Sequence, residues 1–284
     1  MLLENSPLTS QPNEDPKGPN WRLILGDACH ELSKLPEKSF DLIFADPPYN
    51  LSNGGQTCRN GKWATVNKGD WDVSNGVNDD HAFHVAWLNQ CRRVLKPNGS
   101  LWVSGTQHSI YSCGHALQAS GWHVLNDIVW YKRNAPPNLA CRFFTASHET
   151  LIWARLSKKA KHRFNYAAMK ADDGSNDPLK VPGNQMRSVW AISPASKSEK
   201  AFGRHPTQKP IALLERIVRA TTMPGDLVLD PFCGSGTTGV AAIRLGRRFV
   251  GIDSDPTYLR HLAPARISAA AQSLEFGEES YGAE

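Results

Sequence analysis

One apolar segment and the turn that ends it constrain the fold of this chain most. Residues 40–45, with the sequence Phe-Asp-Leu-Ile-Phe-Ala, are typical of a buried parallel strand, and two prolines shortly afterwards end it. Open α/β sheets keep their chemistry at the carboxyl ends of their strands. The turn that follows, Asp-Pro-Pro-Tyr at residues 46–49, therefore predicts a carboxylate and an aromatic ring on a stiff backbone at that edge. Such groups suit the binding of a planar ring that carries an exocyclic amine.

Segments of strand and helix character alternate along the rest of the chain. Strands are predicted at residues 21–25, 40–45, 100–104, 122–131, 149–155, 226–230 and 248–253, and helices at 28–35, 82–95, 107–120, 210–221, 237–245 and 256–270. The alternation predicts an α/β domain over residues 21–270 with a mostly parallel, doubly wound sheet. Residues 1–20 and the acidic residues 271–284 are expected to be disordered tails. Residues 51–80 lack periodicity and predict a long functional loop.

Charge and cysteine content narrow the range of functions. The net charge is only +5, but residues 131–166 carry eight Lys or Arg and a single acid, Glu149, with aromatic residues between them. This pattern favours a surface for a polyanion over a merely solvated face. The six cysteines form no Cys-x-x-Cys pair, so neither a zinc site nor a disulfide framework is expected. With no apolar segment long enough to span a membrane and no secretory signal, a cytoplasmic location is expected.

A second constellation predicts a nucleoside cofactor. Gly234, Gly236 and Gly239 form a Gly-x-Gly-x-x-Gly turn between a predicted strand and a predicted helix, and Asp253 ends the next strand. Such glycines let the backbone approach a ligand, and an acid at this offset can accept hydrogen bonds from ribose hydroxyls. This pattern alone does not separate NAD from S-adenosylmethionine. Residues 205–210, His-Pro-Thr-Gln-Lys-Pro, either contact the cofactor or form a helix N-terminus capped by Thr207.

With these three segments, the chain resembles the beta class of amino-group DNA methyltransferases, and within it the cell-cycle-type and type II restriction-type adenine-N6 enzymes. The order is characteristic, because the catalytic tetrapeptide comes first and the Asp-Pro-Phe-x-Gly-x-Gly-Thr-Thr motif at residues 230–238 comes last. The likeness covers residues 21–270 and includes the segments at 126–130 and 148–153. The chain lacks the added C-terminal DNA-binding domain of the cell-cycle enzymes, so the resemblance does not imply a shared target sequence.

The resemblance implies a fold and a reaction. The fold is a Rossmann-like methyltransferase sheet of seven strands, one of them antiparallel, with circularly permuted motif order and a target-recognition region within about 131–204. The reaction is methyl transfer from S-adenosylmethionine to the exocyclic amine of a base flipped out of double-stranded DNA. Asp46 and the carbonyl of Pro47 would accept the amine hydrogens, and Tyr49 would stack on the base.

The site residues that follow fall into three groups, and no metal ligands are expected. The catalytic residues are Asp46, Pro47, Pro48 and Tyr49. The cofactor-binding residues are Asp27, Ala28, Asp46, His205, Thr207, Lys209, Phe232, Gly234, Ser235, Gly236, Thr237, Thr238 and Asp253, with a helix N-cap as the alternative role of Asp27. The DNA-binding residues are Arg59, Lys62, Lys68, Lys132, Arg133, Arg142, Lys158, Lys159 and Arg187.

Several alternatives stay open. Cytosine-N4 methylation uses the same chemistry, but those enzymes more often have Ser at the position of Asp46, so the aspartate favours adenine. Methylation of RNA or of protein glutamine, a non-catalytic DNA-binding module and a dehydrogenase are more distant alternatives. The resemblance also makes a homodimer an expectation, allows for a cognate restriction endonuclease as a partner, and implies association with the nucleoid through DNA.

Overall fold

The computed structural model describes residues 15–52, 56–59, 62–65 and 72–279, and the side chains of 56–59, 62–65 and 274–279 are not part of that description. Residues 1–14 and 280–284 of the predicted tails, and Lys68, lie outside the described residues. None of the described helices is both long and apolar enough to cross a membrane.

Strands and helices alternate over most of the described chain. The strands are β1 (Lys17–Gly18), β2 (Trp21–Leu25), β3 (Phe40–Ala45), β4 (Gln56–Arg59), β5 (Lys62–Thr65), β6 (Leu95–Gly105), β7 (His123–Tyr131), β8 (His148–Arg155), β9 (Val189–Trp190), β10 (Leu227–Asp230) and β11 (Arg248–Asp253). The helices are α1 (Ala28–Lys34), α2 (Val77–Val94), α3 (Ile110–Ala119), α4 (Tyr166–Ala171), α5 (Ile211–Thr221), α6 (Thr237–Arg244) and α7 (Ala263–Glu279). A 3-10 turn at Ser198–Lys200 precedes α5, and a π-helical turn at Tyr258–Leu262 leads into α7.

The main sheet has the order β1-β2-β11-β10-β3-β6-β8-β7-β9. Strands β2, β11, β10, β3 and β6 are mutually parallel, β8 runs against its neighbours β6 and β7, and β9 is parallel to β7. The predicted mostly parallel α/β fold is therefore confirmed, including the single antiparallel strand among the seven long ones. The sheet has nine strands rather than seven, because the two-residue strands β1 and β9 add backbone hydrogen bonds at its two edges.

Helices cover both faces of the sheet, and β3 explains why. All six of its residues are buried, and they alternate between two hydrophobic cores. Leu42 and Phe44 pack with the helices α5, α6 and α7, while Ile43 and Ala45 pack with α1, α2 and α3. The one acid of this strand, Asp41, accepts hydrogen bonds from Lys96 Nζ at 2.8 Å and from the amide of Leu227 at 3.0 Å, so its charge is paired. The doubly wound arrangement follows from a strand that is apolar on both faces.

Five features differ from the predicted elements. Helix α2 begins five residues before the predicted start at 82, because Asp79 and Asp80 in its first turn favour a helix N-terminus. The antiparallel pair β4–β5 lies within the predicted loop at 51–80. Strand β6 begins five residues before the predicted start at 100, and residues 96–99 form a bulge in it, between the pairs that align Leu95 and Ser100 with β3. Helix α7 continues to Glu279, nine residues into the region predicted as a tail, and α4 lies inside the predicted target-recognition region.

Candidate active site

The carboxyl ends of the parallel strands converge on one cleft. The turn after β3 and the glycine turn after β10 meet there because β3 and β10 are neighbours in the sheet. All the residues predicted as catalytic or cofactor-binding line this cleft except Gly236, which lies just beneath it at the start of α6. The two motifs that are about 185 residues apart in the sequence thus form one site, since parallel neighbours place their carboxyl ends side by side.

A buried carboxylate holds the turn that carries Asp46. Asp72 is fully buried, and its two oxygens accept hydrogen bonds from the amides of Tyr49 at 3.0 Å and Leu51 at 3.1 Å and from the hydroxyl of Ser52 at 2.9 Å. Asn50 between them adopts a left-handed conformation with φ of 58°, which Asn tolerates better than most residues. Asp72 was absent from the predicted site, because nothing in the polar segment around it identifies the turn as its partner.

The hydroxyl of Tyr49 lies at the centre of a polar network. It donates to Asp46 Oδ1 at 2.5 Å and lies 3.0 Å from Ser104 Oγ and 3.1 Å from Glu149 Oε2. Lys209 Nζ approaches the same hydroxyl at 3.0 Å. Burial, followed by the charges of Asp46 and Glu149, raises the pKa of Tyr49 well above its usual range, so the hydroxyl keeps its proton.

The stacking role of Tyr49 stays a prediction, and the structure adds a second role for its hydroxyl. The residue is only 5% exposed, and Lys209 Nζ lies 5.1 Å from the centroid of its ring. Little of the ring is therefore exposed, although it lines the cleft. The side chain positions the carboxylate of Asp46 through its hydroxyl.

Two lysines and two carboxylates form a buried charge cluster around Tyr49. Lys209 Nζ is 2.5 Å from Asp46 Oδ2 and 3.5 Å from Glu149 Oε2, and Lys132 Nζ pairs with the other oxygen of Glu149. Burial alone would raise the pKa of Glu149, but the charges of Lys209 and Lys132 outweigh it and lower the pKa to about 2. Burial would likewise lower the pKa of Lys209, but Asp46 and Glu149 raise it. Glu149 and Lys209 therefore bear their charges at neutral pH.

The glycine turn forms the other wall of the cleft. Gly234 and Gly236 have φ of +50° and +74°, conformations that favour glycine. A Cβ on Gly234 would lie 3.1 Å from the imidazole of His205, and one on Gly236 would lie 2.9 Å from the Cβ of Ala263. The turn is therefore packed between two other segments of the chain, and its backbone is exposed to the cleft only because it lacks side chains.

Asp253 holds this turn and keeps acceptor capacity for a ligand. Its Oδ2 accepts from the amide of Gly234 at 2.6 Å, and its Oδ1 accepts from the amide of Asp255 at 2.9 Å. Each carboxylate oxygen has a second lone pair, so hydrogen bonds from two ribose hydroxyls remain available. The glycine backbone and this carboxylate together fit a nucleoside cofactor, as predicted.

The hydroxyls after the glycine turn are engaged within the protein. Thr238 Oγ1 donates to Asp230 Oδ2 at 2.5 Å, and Thr237 Oγ1 accepts from Arg266 Nη1 at 2.9 Å. Burial raises the pKa of Asp230 to about 7 and lowers that of Arg266 to about 10. Thr237 and Thr238 thus stabilise the turn with their side chains, and neither Asp230 nor Arg266 belonged to the predicted site.

Aromatic rings close the cofactor end of the cleft. Phe232 contacts Trp87 and Phe83 edge-on, with centroid distances of 5.5 Å and 6.1 Å, and Tyr258 lies 4.3 Å from the ring of His205. Phe83 and Tyr258 were not predicted, since each is an isolated aromatic residue in a helical segment.

A helix cap was the alternative role for both Asp27 and Thr207, and only Asp27 forms one. Asp27 caps α1 by accepting from the amide of His30 at 2.9 Å, and it also lines the cleft. Thr207 does not cap α5; its hydroxyl lies 3.2 Å from His205 Nδ1, and Glu199 Oε2 accepts from the first helical amide, that of Ile211, at 2.8 Å.

The predicted DNA-binding residues are divided among several places. Arg133 and Arg142 are exposed on the segment between β7 and β8, at the catalytic edge, and Arg187 is exposed just before β9. The assignment of Lys132 to the DNA surface needs correction, because its ammonium pairs with Glu149 inside the active site. The side chains of Arg59 and Lys62, like all of Lys68, lie outside the described residues.

The assignment of Lys158 and Lys159 to the DNA surface beside the cleft also needs correction. They follow the end of β8, and this strand runs antiparallel to its neighbours, so its C-terminal end lies at the sheet edge opposite the cleft. Both side chains are exposed, but the cleft is on the far side of the sheet. The basic segment identified in the sequence is thus split by the strand that crosses the sheet.

Comparisons with known proteins agree with this site. The family model described as DNA methylase, for N6 and N4 amino-group methyltransferases, matches residues 40–264. The type II methyltransferase M2.DpnII of Streptococcus pneumoniae is 51% identical over 248 residues, which cover 87% of this chain and 89% of that protein. The type II methyltransferase M2.MboI of Moraxella bovis is 42% identical over 84% of this chain and 85% of that protein.

Solved structures show the same fold. The M1.HpyAVI–SAM complex has a TM-score of 0.61 at 27% identity and covers 87% of this chain and 98% of that chain. The PvuII DNA methyltransferase, a cytosine-N4-specific enzyme, has a TM-score of 0.67 at 19% identity and covers 92% and 95%. Among the described residues of this chain, no three or more His, Cys, Asp or Glu are placed to hold a metal ion. The chain belongs to the N6/N4 DNA methylase family and is a DNA methyltransferase that uses S-adenosylmethionine.

Proposed function

We propose that this enzyme methylates the exocyclic N6 of adenine at a specific site in duplex DNA, by base flipping and direct transfer. The observation that carries the proposal is the position of Asp46, whose carboxylate lines the same cleft as the glycine turn of the cofactor site. The hydrogen bonds from Tyr49 and Lys209 fix this carboxylate, and each of its oxygens retains a lone pair for the target amine.

An adenine amine is a weak nucleophile because its lone pair is delocalised into the ring, and the residues of the turn make it more reactive. Asp46 and the carbonyl of Pro47 accept the two amine hydrogens, which favours tetrahedral geometry and returns the lone pair to nitrogen. S-adenosylmethionine supplies an activated methyl group when it is bound. Asp46 is also placed to take the proton that the methylated nitrogen releases, while Asp72 keeps the turn rigid. Positioning and preorganised charge therefore provide the catalysis, and no covalent enzyme intermediate is needed.

Adenine is favoured over cytosine by the first residue of the tetrapeptide. Cytosine-N4 enzymes more often carry serine there, whereas this chain has Asp46. Nucleoside mass spectrometry of DNA methylated by the purified protein tests this directly. We expect N6-methyladenine, and N4-methylcytosine in its place would overturn the choice of base.

A role in restriction–modification is proposed from the relatives, two of which are named type II methyltransferases. The enzyme would then protect its site from a cognate endonuclease, and its DNA affinity would place it at the nucleoid. Sequencing that reports modified bases, on DNA from a host that expresses this chain, gives the site, and digestion with endonucleases of that specificity tests protection. The homodimer expected from the resemblance is tested by sedimentation of the protein with and without duplex DNA.

A further inference from the structure

The segment at residues 132–147 starts and ends at the catalytic network. It connects β7 to β8, and the amide of Lys132 donates to the carbonyl of Ser147 at 2.7 Å, which closes its base. The ammonium of Lys132 pairs with Glu149, and Glu149 Oε2 lies 3.1 Å from the hydroxyl of Tyr49. The loop therefore projects from the groups that position the catalytic carboxylate.

Two adjacent phenylalanines lie on this loop, turned to solvent. Phe143 is 72% exposed and Phe144 is 99% exposed, so neither ring contributes to a core. The backbone beneath them is ordered by Asn138, whose Nδ2 donates to the carbonyl of Phe143 at 2.8 Å and whose carbonyl accepts from the amide of Cys141 at 3.2 Å. Rings as exposed as these contribute nothing to the stability of the monomer. Two of them side by side on a hydrogen-bonded loop therefore indicate a contact surface.

The charge of the loop selects the kind of partner. Residues 132–147 contain no Asp or Glu, and Arg133 and Arg142 are both exposed. Arg142 directly precedes the two rings. Apolar rings beside free guanidinium groups match nucleic acid, in which stacked bases lie between phosphates.

We propose that Phe143 and Phe144 form a wedge that enters the duplex beside the target and fills the gap that the flipped base leaves. The inference rests on the proposed function, because it presupposes a flipped base. Extruding a base breaks its stacking and pairing, and an aromatic side chain that replaces the missing stack lowers that cost. The buried Tyr49 does not supply this contact, whereas the two phenylalanines are free to do so.

The test compares two substrates and three variants. The target adenine, once mapped, is placed in a matched duplex and in a duplex where it faces a mismatched base, which is already partly unstacked. F143S/F144S removes the wedge, F143L/F144L keeps an apolar wedge, and M223S is the control. Met223 is also an exposed apolar residue, 45% exposed, but it precedes β10 at the opposite edge of the sheet.

We expect F143S/F144S to lose about tenfold or more in kcat/KM on the matched duplex and less than about threefold on the mismatched one, because weakened pairing removes most of the cost that the wedge offsets. F143L/F144L should retain most of the activity on both substrates, and M223S should match the wild type. If F143S/F144S has the same kcat/KM loss on both duplexes, or no loss on either, the proposal that these rings act as a wedge is overturned. An equal loss accompanied by a changed sedimentation coefficient would identify the surface as a contact between copies of the chain. Failure of the wild-type protein to methylate adenine in either duplex would instead refute the proposed function.

Discussion

Replacing Glu149 with glutamine tests whether the buried charge cluster is part of the catalytic apparatus. In the wild type, Asp46 and Glu149 balance Lys132 and Lys209, and the E149Q variant leaves one positive charge in excess. The pKa of Glu149 falls from 4.5 to about 2 on folding, and such a shift corresponds to about 3 kcal/mol of stability. The lower end of the range for breaking a buried ion pair is also about 3 kcal/mol.

The pH dependence of this loss has a defined sign. A carboxylate whose pKa is depressed in the folded protein stabilises it fully above its unfolded pKa, here 4.5, and loses that effect as the pH falls through the folded value of about 2. At pH 7 we therefore expect E149Q to unfold about 6–12 °C below the wild type, at about 2–4 °C per kcal/mol. The difference in Tm should narrow as the pH falls below 4.5.

A second substitution makes the test specific. The E149Q/K132M variant restores electrical neutrality, so it should recover part of the lost stability and most of the lost affinity for S-adenosylmethionine, whose sulfonium is repelled by an excess positive charge. Differential scanning calorimetry and titration calorimetry with the cofactor measure the two quantities. The reasoning is refuted if E149Q unfolds within about 1 °C of the wild type at pH 7, or if adding K132M to E149Q weakens cofactor binding further.

Five other single substitutions test the roles assigned above. D46A should abolish methyl transfer while cofactor affinity, measured by calorimetry, falls only modestly; retained methylation would exclude the aspartate as the catalytic group. Y49F keeps the ring but removes the hydroxyl that orients Asp46, so we expect kcat to fall about tenfold or more, the equivalent of one hydrogen bond to a charged group; near-normal kcat would exclude the role of the hydroxyl and leave stacking on the base as the function of the side chain. D72N should lower kcat and destabilise the protein by about 1–3 kcal/mol. The Asp72 carboxylate accepts three hydrogen bonds, whereas in the asparagine one of the two oxygens is replaced by an NH2 group, which can only donate. K132M should leave the slope of DNA affinity against salt unchanged, whereas R142Q should reduce it by about one unit; equal changes in the two slopes would return Lys132 to the DNA surface.

Local sequence patterns were sufficient for the scaffold and for both motif turns. The apolar segment at 40–45 could only be a strand covered on both faces, and the glycines at 234 and 236 could only precede a helix after a strand. The principle that parallel neighbours share an edge then places the two motifs in one cleft. Short strands such as β1 and β9 could not be predicted, because two residues carry no periodicity and pair only after the sheet has formed.

The groups that orient Asp46 illustrate what local patterns leave out. Glu149 contributes to the site because β8 turns back beside β6, which brings it to Tyr49 across 100 residues of sequence. Lys132 reaches the same carboxylate because β7 ends where β8 begins. In the sequence, Glu149 was the single acid of a basic segment, and the charge of that segment was assigned to DNA as a whole. An isolated acid within a basic, partly apolar segment of a methyltransferase is better interpreted as the buried partner of some of those cations, since an ion that must leave water requires a counter-ion. The exposed arginines at the catalytic edge, and not the total charge, then define the surface that is available to DNA.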